Sequence, residues 1–231
     1  KSNTMSLITY IIFIVVITLV IILIRYVLKN NKEKQIIKEK LNEEIKIKAN
    51  DAIQTIQIDC NNILTYLENV LTHKEHYFTE TDKNNFLDKV KTISENFDFL
   101  KSNNKIEQLN DDAKRLYEVI NSLDIIKVQH NKDFIKRELD KNKEFFDNVL
   151  DYPLDKQQRE SIVKLEDNCL VISSAGSGKT STMIGKLLYL VHQRRIQPSR
   201  ILTITYTHKA SDELSQRLLG TGLSCMTFHK L

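Results

Sequence analysis

Residues 170–182 read LVISSAGSGKTST, and the fold of the C-terminal part of the chain follows from them. The apolar run Leu170, Val171 and Ile172 predicts a strand over residues 169–174. Small residues follow, Ser173 to Gly178, and then Lys179, Thr180 and Ser181 open a predicted helix over 179–191 whose apolar positions include Ile184, Leu187, Leu188 and Val191. A strand, a glycine-containing loop and a helix beginning Lys-Thr make the pattern of a phosphate-binding loop. Each residue type has its reason. Gly176 and Gly178 permit a tight turn, and the backbone N–H groups of Ser174, Ala175, Gly176, Ser177, Gly178 and Ser181 can then converge on phosphate oxygens at a helix N-terminus. Lys179 is placed to reach the β- and γ-phosphates and the Thr180 hydroxyl to ligate Mg²⁺, so the expected ligand is ATP with Mg²⁺. A plain Gly/Ser turn between strand and helix is the alternative, and it leaves the Lys-Thr pair unexplained.

Downstream, a polar turn containing Pro198 leads to a predicted strand over 201–206, a helix over 209–219, a turn at Gly220 and Gly222, and a last strand over 224–227. Strands alternating with helices imply a parallel sheet with the phosphate loop at its strand ends. The expected class is therefore an α/β P-loop NTPase with a truncated RecA-like parallel sheet, occupying residues 153–231.

Upstream the composition changes. Residues 29–152 hold neither Gly nor Pro, and three runs repeat apolar residues at spacings of three and four. Ile53, Ile56, Cys60, Ile63, Leu67 and Val70 form the first; Phe86, Val90, Ile93, Phe97 and Leu100 the second; Ile106, Leu109, Ala113, Leu116, Ile120 and Leu123 the third. Such seams belong to helices packed as coiled-coil hairpins or a small bundle, with Thr81 or Asp82 as the expected cap of the second helix. From residue 41 to 152 there are 16 basic and 22 acidic residues, an unfavourable balance for binding DNA. Two readings of this stalk stand open: a spacer or docking arm for a protein partner, and a plain helical domain.

After a short tail at residues 1–6, residues 7–24 carry no charge, and apolar character resumes after Arg25 up to Leu28. A run of about 20 apolar residues is long enough to cross a bilayer, so residues 7–28 are expected to be a transmembrane helix. Arg25, Lys29, Lys32, Lys34, Lys38 and Lys40 follow the span against Lys1 before it. The positive-inside rule then predicts a single-pass membrane protein with its N-terminus outside and the stalk and phosphate loop in the cytoplasm. The net charge of +4 is concentrated after residue 152, where 11 Lys+Arg face 6 Asp+Glu, a balance compatible with a nucleic-acid surface. Three dispersed cysteines exclude a disulfide framework and offer no zinc spacing. With Met5 as a candidate start and Leu231 as the last residue, the sequence reads as the N-terminal part of a longer protein.

Four stretches together resemble a known family. LDKQQRESI (residues 154–162), AGSGKT (175–180), ILTITYTHKASDELSQRL (201–218) and MTFHKL (226–231) are similar in order and spacing to the Q motif and motifs I, Ia and Ib of UvrD/Rep-type superfamily 1 DNA helicases. Residues 129–158 also resemble the segment that leads into the motor in the helicase IV branch of that family. The resemblance covers roughly the last hundred residues. It implies an ATP-dependent DNA helicase or translocase moving 3′ to 5′ on single-stranded DNA, with Gln158 directed at the adenine edge. It further implies a single-stranded DNA track lined by Thr205, Tyr206, Thr207, Thr227, Phe228 and His229. Each has a plainer alternative: a surface glutamine, a core aromatic at residue 206, a structural histidine.

Three positions depart from the family pattern: Ser173 replaces a small Gly or Ala, Tyr206 replaces Phe, and His208 replaces Asn. The family's Mg²⁺-binding acidic motif, its transition-state arginines and its second motor domain have no counterpart in the 231 residues, so this chain alone is expected not to hydrolyse ATP. Two further readings remain, a helicase-like ATPase that remodels RNA polymerase through its helical arm, and a membrane-bound interaction module switched by nucleotide.

Overall fold

The computed structural model describes residues 2–174 and 176–230, with side chains described from residue 10 onward. The chain divides into two compact units. One holds residues 1–60 and 93–114, the other residues 61–92 and 115–231.

Helix α1 (Ser2–Thr72) is continuous, so the tail, the apolar span and the first stalk seam are one helix. It is followed by α2 (Glu80–Ser102), a 3₁₀ turn at Ile106–Gln108, α3 (Asp111–Lys141) and the short α4 (Lys143–Asn148). The apolar periodicity explains these helices, because most of the residues it selects are buried; Ile53, Val70 and Ile120 are half-buried, and Ile106 lies on the 3₁₀ turn before α3. Phe86, Val90, Ile93, Phe97 and Leu100 are all buried, as are Ile56, Cys60, Ile63 and Leu67 on α1 and Ala113, Leu116 and Leu123 on α3. In the first unit Lys48 lies over the Phe99 ring, and in the second Lys89 lies over Tyr66 and Arg115 pairs with Glu68 at 2.9 Å.

The start of α2 differs from the expected one. Thr79 is the cap: its hydroxyl accepts from the Asp82 N–H at 3.1 Å while Asp82 Oδ2 accepts from the Thr79 N–H at 2.9 Å. The next two N–H groups, of Glu80 and Thr81, donate to the carboxylates of Glu166 and Asp167 at 2.6 and 2.7 Å. Carboxylates at a helix N-terminus satisfy orphan donors and oppose the helix dipole. Here they also fasten the loop before the phosphate-loop segment to α2.

Residues 153–231 contribute α5 (Lys156–Val163), α6 (Lys179–Leu188), β1 (Thr203–Thr205), α7 (His208–Arg217) and β2 (Cys225–Thr227). The helix expected over 179–191 ends earlier as an α-helix and continues as a π-turn, Tyr189–Gln193. Gly185 allows α6 to lie close against α5; a Cβ there would come within 2.7 Å of Ile162 Cδ1 and 3.1 Å of Leu154 Cδ1. β1 and β2 pair in parallel, Thr203 opposite Cys225 and Thr205 opposite Thr227, joined through α7 as a parallel pair requires. Ile184, Leu187 and Leu188 of α6, Leu214 of α7, and Leu218 and Leu223 form the core beside these strands.

The strand expected over residues 169–174 is not formed. That run forms no regular element, and Leu170 and Ile172 are each 85% exposed. A strand exists only through hydrogen bonds to a neighbour, and among the described residues none pairs with this run. The fold is therefore a mostly helical chain with a two-stranded parallel sheet.

Candidate functional site

The loop expected to bind phosphate takes its shape from two residues with positive φ, Gly176 at 76° and Gly178 at 82°. Gly178 is favoured by its backbone and lies close against the end of the Gln158 side chain. Its φ lies where side chains are disfavoured, and a Cβ on it would stand 2.5 Å from Gln158 Nε2. Within the loop, Ser177 Oγ donates to Ser174 O at 2.8 Å, and Gly178 O accepts from the Thr182 N–H at 2.9 Å, the first bond of α6. The Lys179 ammonium crosses the loop, donating to Ser173 O at 2.9 Å and Ser174 O at 2.7 Å. Thr180 is exposed at the first turn of α6, and Ser181 is half-buried beside it. Ala175 lies outside the described residues.

Gln158 is held before any ligand is considered. It is the third residue of α5 and completes a capping box: its N–H donates to Asp155 Oδ1 and its Oε1 accepts from the Asp155 N–H, both at 2.9 Å. Its carbonyl is therefore engaged, while Nε2 points to the loop, 3.5 Å from Ser177 O. A cavity of about 370 Å³ opens here, lined by Tyr152, Gln158, Gly176, Ser177, Gly178 and Ser181 among others. Its lining brings a left-handed glycine turn and a helix N-terminus together with an amide and an aromatic ring, while Lys179 lines a separate cavity with Thr182, Met183 and Lys186. On the opposite side of α6, burial pushes the Lys186 ammonium down to about 8, and it donates to Ile162 O at 2.6 Å, closing the end of α5.

The residues expected along a DNA track separate into two groups. β1 and β2 are parallel and in register, so the residues just beyond them, Tyr206 and Phe228, sit at the same end of the sheet. Both are exposed, at 85% and 68%, and His229 lies edge-on to Phe228 at 6.5 Å between ring centres. The three threonines are differently used. Thr207 caps α7, its hydroxyl accepting from the Ala210 N–H at 3.2 Å. Thr205 donates its hydroxyl to Thr207 O at 3.2 Å. Thr227 is 2% exposed, facing away from the strand-end surface because it shares a face with Cys225, which packs on the core.

One cluster was not visible in the sequence. Glu138 of α3, 4% exposed, accepts a hydrogen bond from the Tyr189 hydroxyl and another from Asn142 Nδ2 at 3.1 Å, and lies 3.6 Å from Arg194 Nη1. Burial, and then the bond to Glu138, push the Tyr189 phenol above its ordinary range. Arg194 also donates to Glu75 O at 2.7 Å. This network joins the π-turn at the end of α6 to α3 and to the turn after α1. No group of three or more His, Cys, Asp or Glu able to hold a metal occurs among the described residues.

Residues 154–231 match the UvrD/REP helicase N-terminal domain. Similar proteins include a probable DNA helicase II homolog of Mycoplasma capricolum, 41% identical over 73 residues, covering 32% of this chain and 10% of the relative. DNA helicase IV of Escherichia coli is 30% identical over 116 residues, 48% of this chain and 17% of the relative. The ATP-dependent DNA helicase Rep of Buchnera aphidicola is 38% identical over 61 residues, 26% and 9% respectively. The chain thus spans only a small part of the length of these relatives.

Proposed function

We infer, from the match of residues 154–231 to the UvrD/REP helicase N-terminal domain, that the whole protein is an ATP-dependent DNA helicase or translocase of the helicase IV kind. The observation that carries this reading is the combination of a phosphate loop with two exposed aromatic rings, Tyr206 and Phe228, at the C-terminal ends of neighbouring parallel strands. Ligands of open α/β sheets bind at that end of the strands. The match to helicase IV extends over more of the chain than residues 154–231, which favours that branch. Bound ATP with Mg²⁺ would supply the free energy of an anhydride bond. The chain's own part is to hold it: the loop N–H groups and Lys179 on the phosphates, Thr180 on the metal, Gln158 at the base.

A ring stacks on any base, so Tyr206 and Phe228 suit a motor that moves along single-stranded DNA, 3′ to 5′ in this reading, without reading sequence. Replacing Tyr206 with Ala is expected to weaken single-stranded DNA binding by the full-length protein about tenfold, with equal losses on oligo-dT and mixed-sequence strands in fluorescence anisotropy. Unchanged affinity would remove residue 206 from the track.

The membrane is part of the same proposal. Tyr10 to Leu28 on α1 are exposed almost without interruption, and this is one helix long and apolar enough to cross a bilayer by length and composition. Residues 7–28 as the span, with Arg25 and the lysines after it on the cytoplasmic side, bring the phosphate loop to the compartment that holds ATP and DNA. A reporter fused after residue 30 should be active only in the cytoplasm; activity on the other side would contradict both the orientation and the motor. A protein partner of the arm, including RNA polymerase in the remodeller reading, would find an apolar patch at Ile125 and Val128 of α3, which are 72% and 67% exposed one turn apart.

A further inference from the structure

Helix α1 changes character where its apolar run ends, and it does so without a break, since Ser2–Thr72 is one continuous helix. Residues 25–34 carry four basic side chains, Arg25, Lys29, Lys32 and Lys34, against one acidic side chain, Glu33. Residues 35–44 reverse the balance, with Lys38 and Lys40 against Glu39, Glu43 and Glu44. The positive charge is therefore a band about three turns long beside the apolar run, not a property of the whole arm. All four basic residues are exposed, and the first ion pair met along α1 among the described residues is Lys46 with Glu43 at 4.0 Å. Arg25, Lys29 and Lys32 stand at spacings of four and three, which puts them on one face within about 60° of arc. That face is turned away from the seam that α1 buries through Ala49, Ala52 and Ile56. Packing along the seam leaves the basic face uncovered.

We propose that this band binds the headgroups of anionic phospholipids in the leaflet on the stalk side of the membrane. This rests on the reading of residues 7–28 as a span and adds to it the lipid chemistry that the flank of the span selects. A helix rises about 1.5 Å per residue, so Lys32 and Lys34 stand no more than about 10 Å beyond Leu28, and Arg25 and Lys29 are closer. That is about one screening length at physiological salt, the range over which an anionic surface attracts a cation. Phosphodiester headgroups give ammonium and guanidinium groups charge-assisted acceptors. Each basic side chain within reach favours an anionic over a zwitterionic neighbour about fivefold. A nucleic acid offers the same phosphate chemistry, but Glu39 and Glu43 occupy the same face about two and three turns beyond Lys32. A basic face that turns acidic with distance from the span suits an acceptor lying in the membrane plane. Because α1 is unbroken, the contact also fixes how far the stalk stands off the bilayer.

The test uses the full 231-residue chain in lipid nanodiscs, one set of phosphatidylcholine and one with about a third of it replaced by phosphatidylglycerol. Discs leave both faces open, so orientation does not enter. A brief pulse of a neutral amine-acylating reagent, read by peptide mass spectrometry, gives a rate for each lysine. Lys29 and Lys32 are expected to react about fivefold more slowly in the phosphatidylglycerol discs, and Lys46 at the same rate in both. The difference should vanish in about 1 M NaCl. Equal rates for Lys29 and Lys32 in the two sets would overturn the proposal while leaving the span intact. Slowing of Lys46 by the same factor would also overturn it, since the effect would then lie on the reagent and not on headgroups beside the span. Protection of Lys29 and Lys32 by single-stranded DNA in phosphatidylcholine discs, with none from phosphatidylglycerol, would overturn it in favour of nucleic acid. A chain that neither set of discs takes up would remove the span itself, and the lipid contact with it.

Discussion

Lys179→Ala is expected to lower ATP hydrolysis by the full-length protein by at least about a hundredfold, the scale of removing one preorganised charge donor from a developing anion. The ammonium is exposed and bonds only to the loop carbonyls of Ser173 and Ser174, so nothing in the core depends on it. Ala is also the better helix former at the first turn of α6. The loss should therefore appear with unchanged helix content and unfolding midpoint. A variant that hydrolyses ATP at the parent rate would show that the loop does not bind phosphate in the way proposed.

The second large effect concerns stability. Glu138→Ala is expected to cost about 3 kcal/mol, at the lower end of what breaking a buried charged pair costs, because Arg194 keeps its bond to Glu75 O. The fully buried Tyr189 hydroxyl would lose its acceptor, and Asn142 Nδ2 would keep only its bond to the Glu138 carbonyl. Tyr189→Phe removes one hydrogen bond and leaves the carboxylate with its other partners, so about 1 kcal/mol is expected. Urea unfolding followed by near-ultraviolet tyrosine signals, in a chain without tryptophan, measures both. A Glu138→Ala variant as stable as the parent would mean that the junction between α3 and the end of α6 is held by apolar packing alone.

These two sites differ in how far the sequence reveals them. The loop is legible because its residue types are dictated locally: positive φ at Gly176 and Gly178, a lysine and a threonine opening a helix. The helical seams are legible for a similar reason, since spacing alone brings Phe86 to Leu100 onto one buried face. Glu138 and Tyr189 stand 51 residues apart, and no local pattern announces that they meet. A buried glutamate on a charged helix looks like any solvated one until its partner is known.

Other differences arise from competition between local roles. Thr79, not Thr81 or Asp82, caps α2 because Asp82 at the third position returns the bond, while Glu166 and Asp167 take the next two N–H groups. Thr207 is read as a DNA contact but serves as the cap of α7, and Gln158 serves first as the third residue of a capping box. The apolar run 169–174 has the composition of a strand, yet composition supplies no partner. Its exposed Leu170 and Ile172 are the part of the sequence reading most visibly unfulfilled in the fold.

In the proposed function the phosphate loop and the aromatic strand ends belong to one motor. ATP hydrolysis by the full-length gene product lacking residues 1–30, measured without and with saturating single-stranded DNA, tests it directly. Marked stimulation by the DNA is expected, lost in Lys179→Ala. A rate that single-stranded DNA leaves unchanged would contradict it.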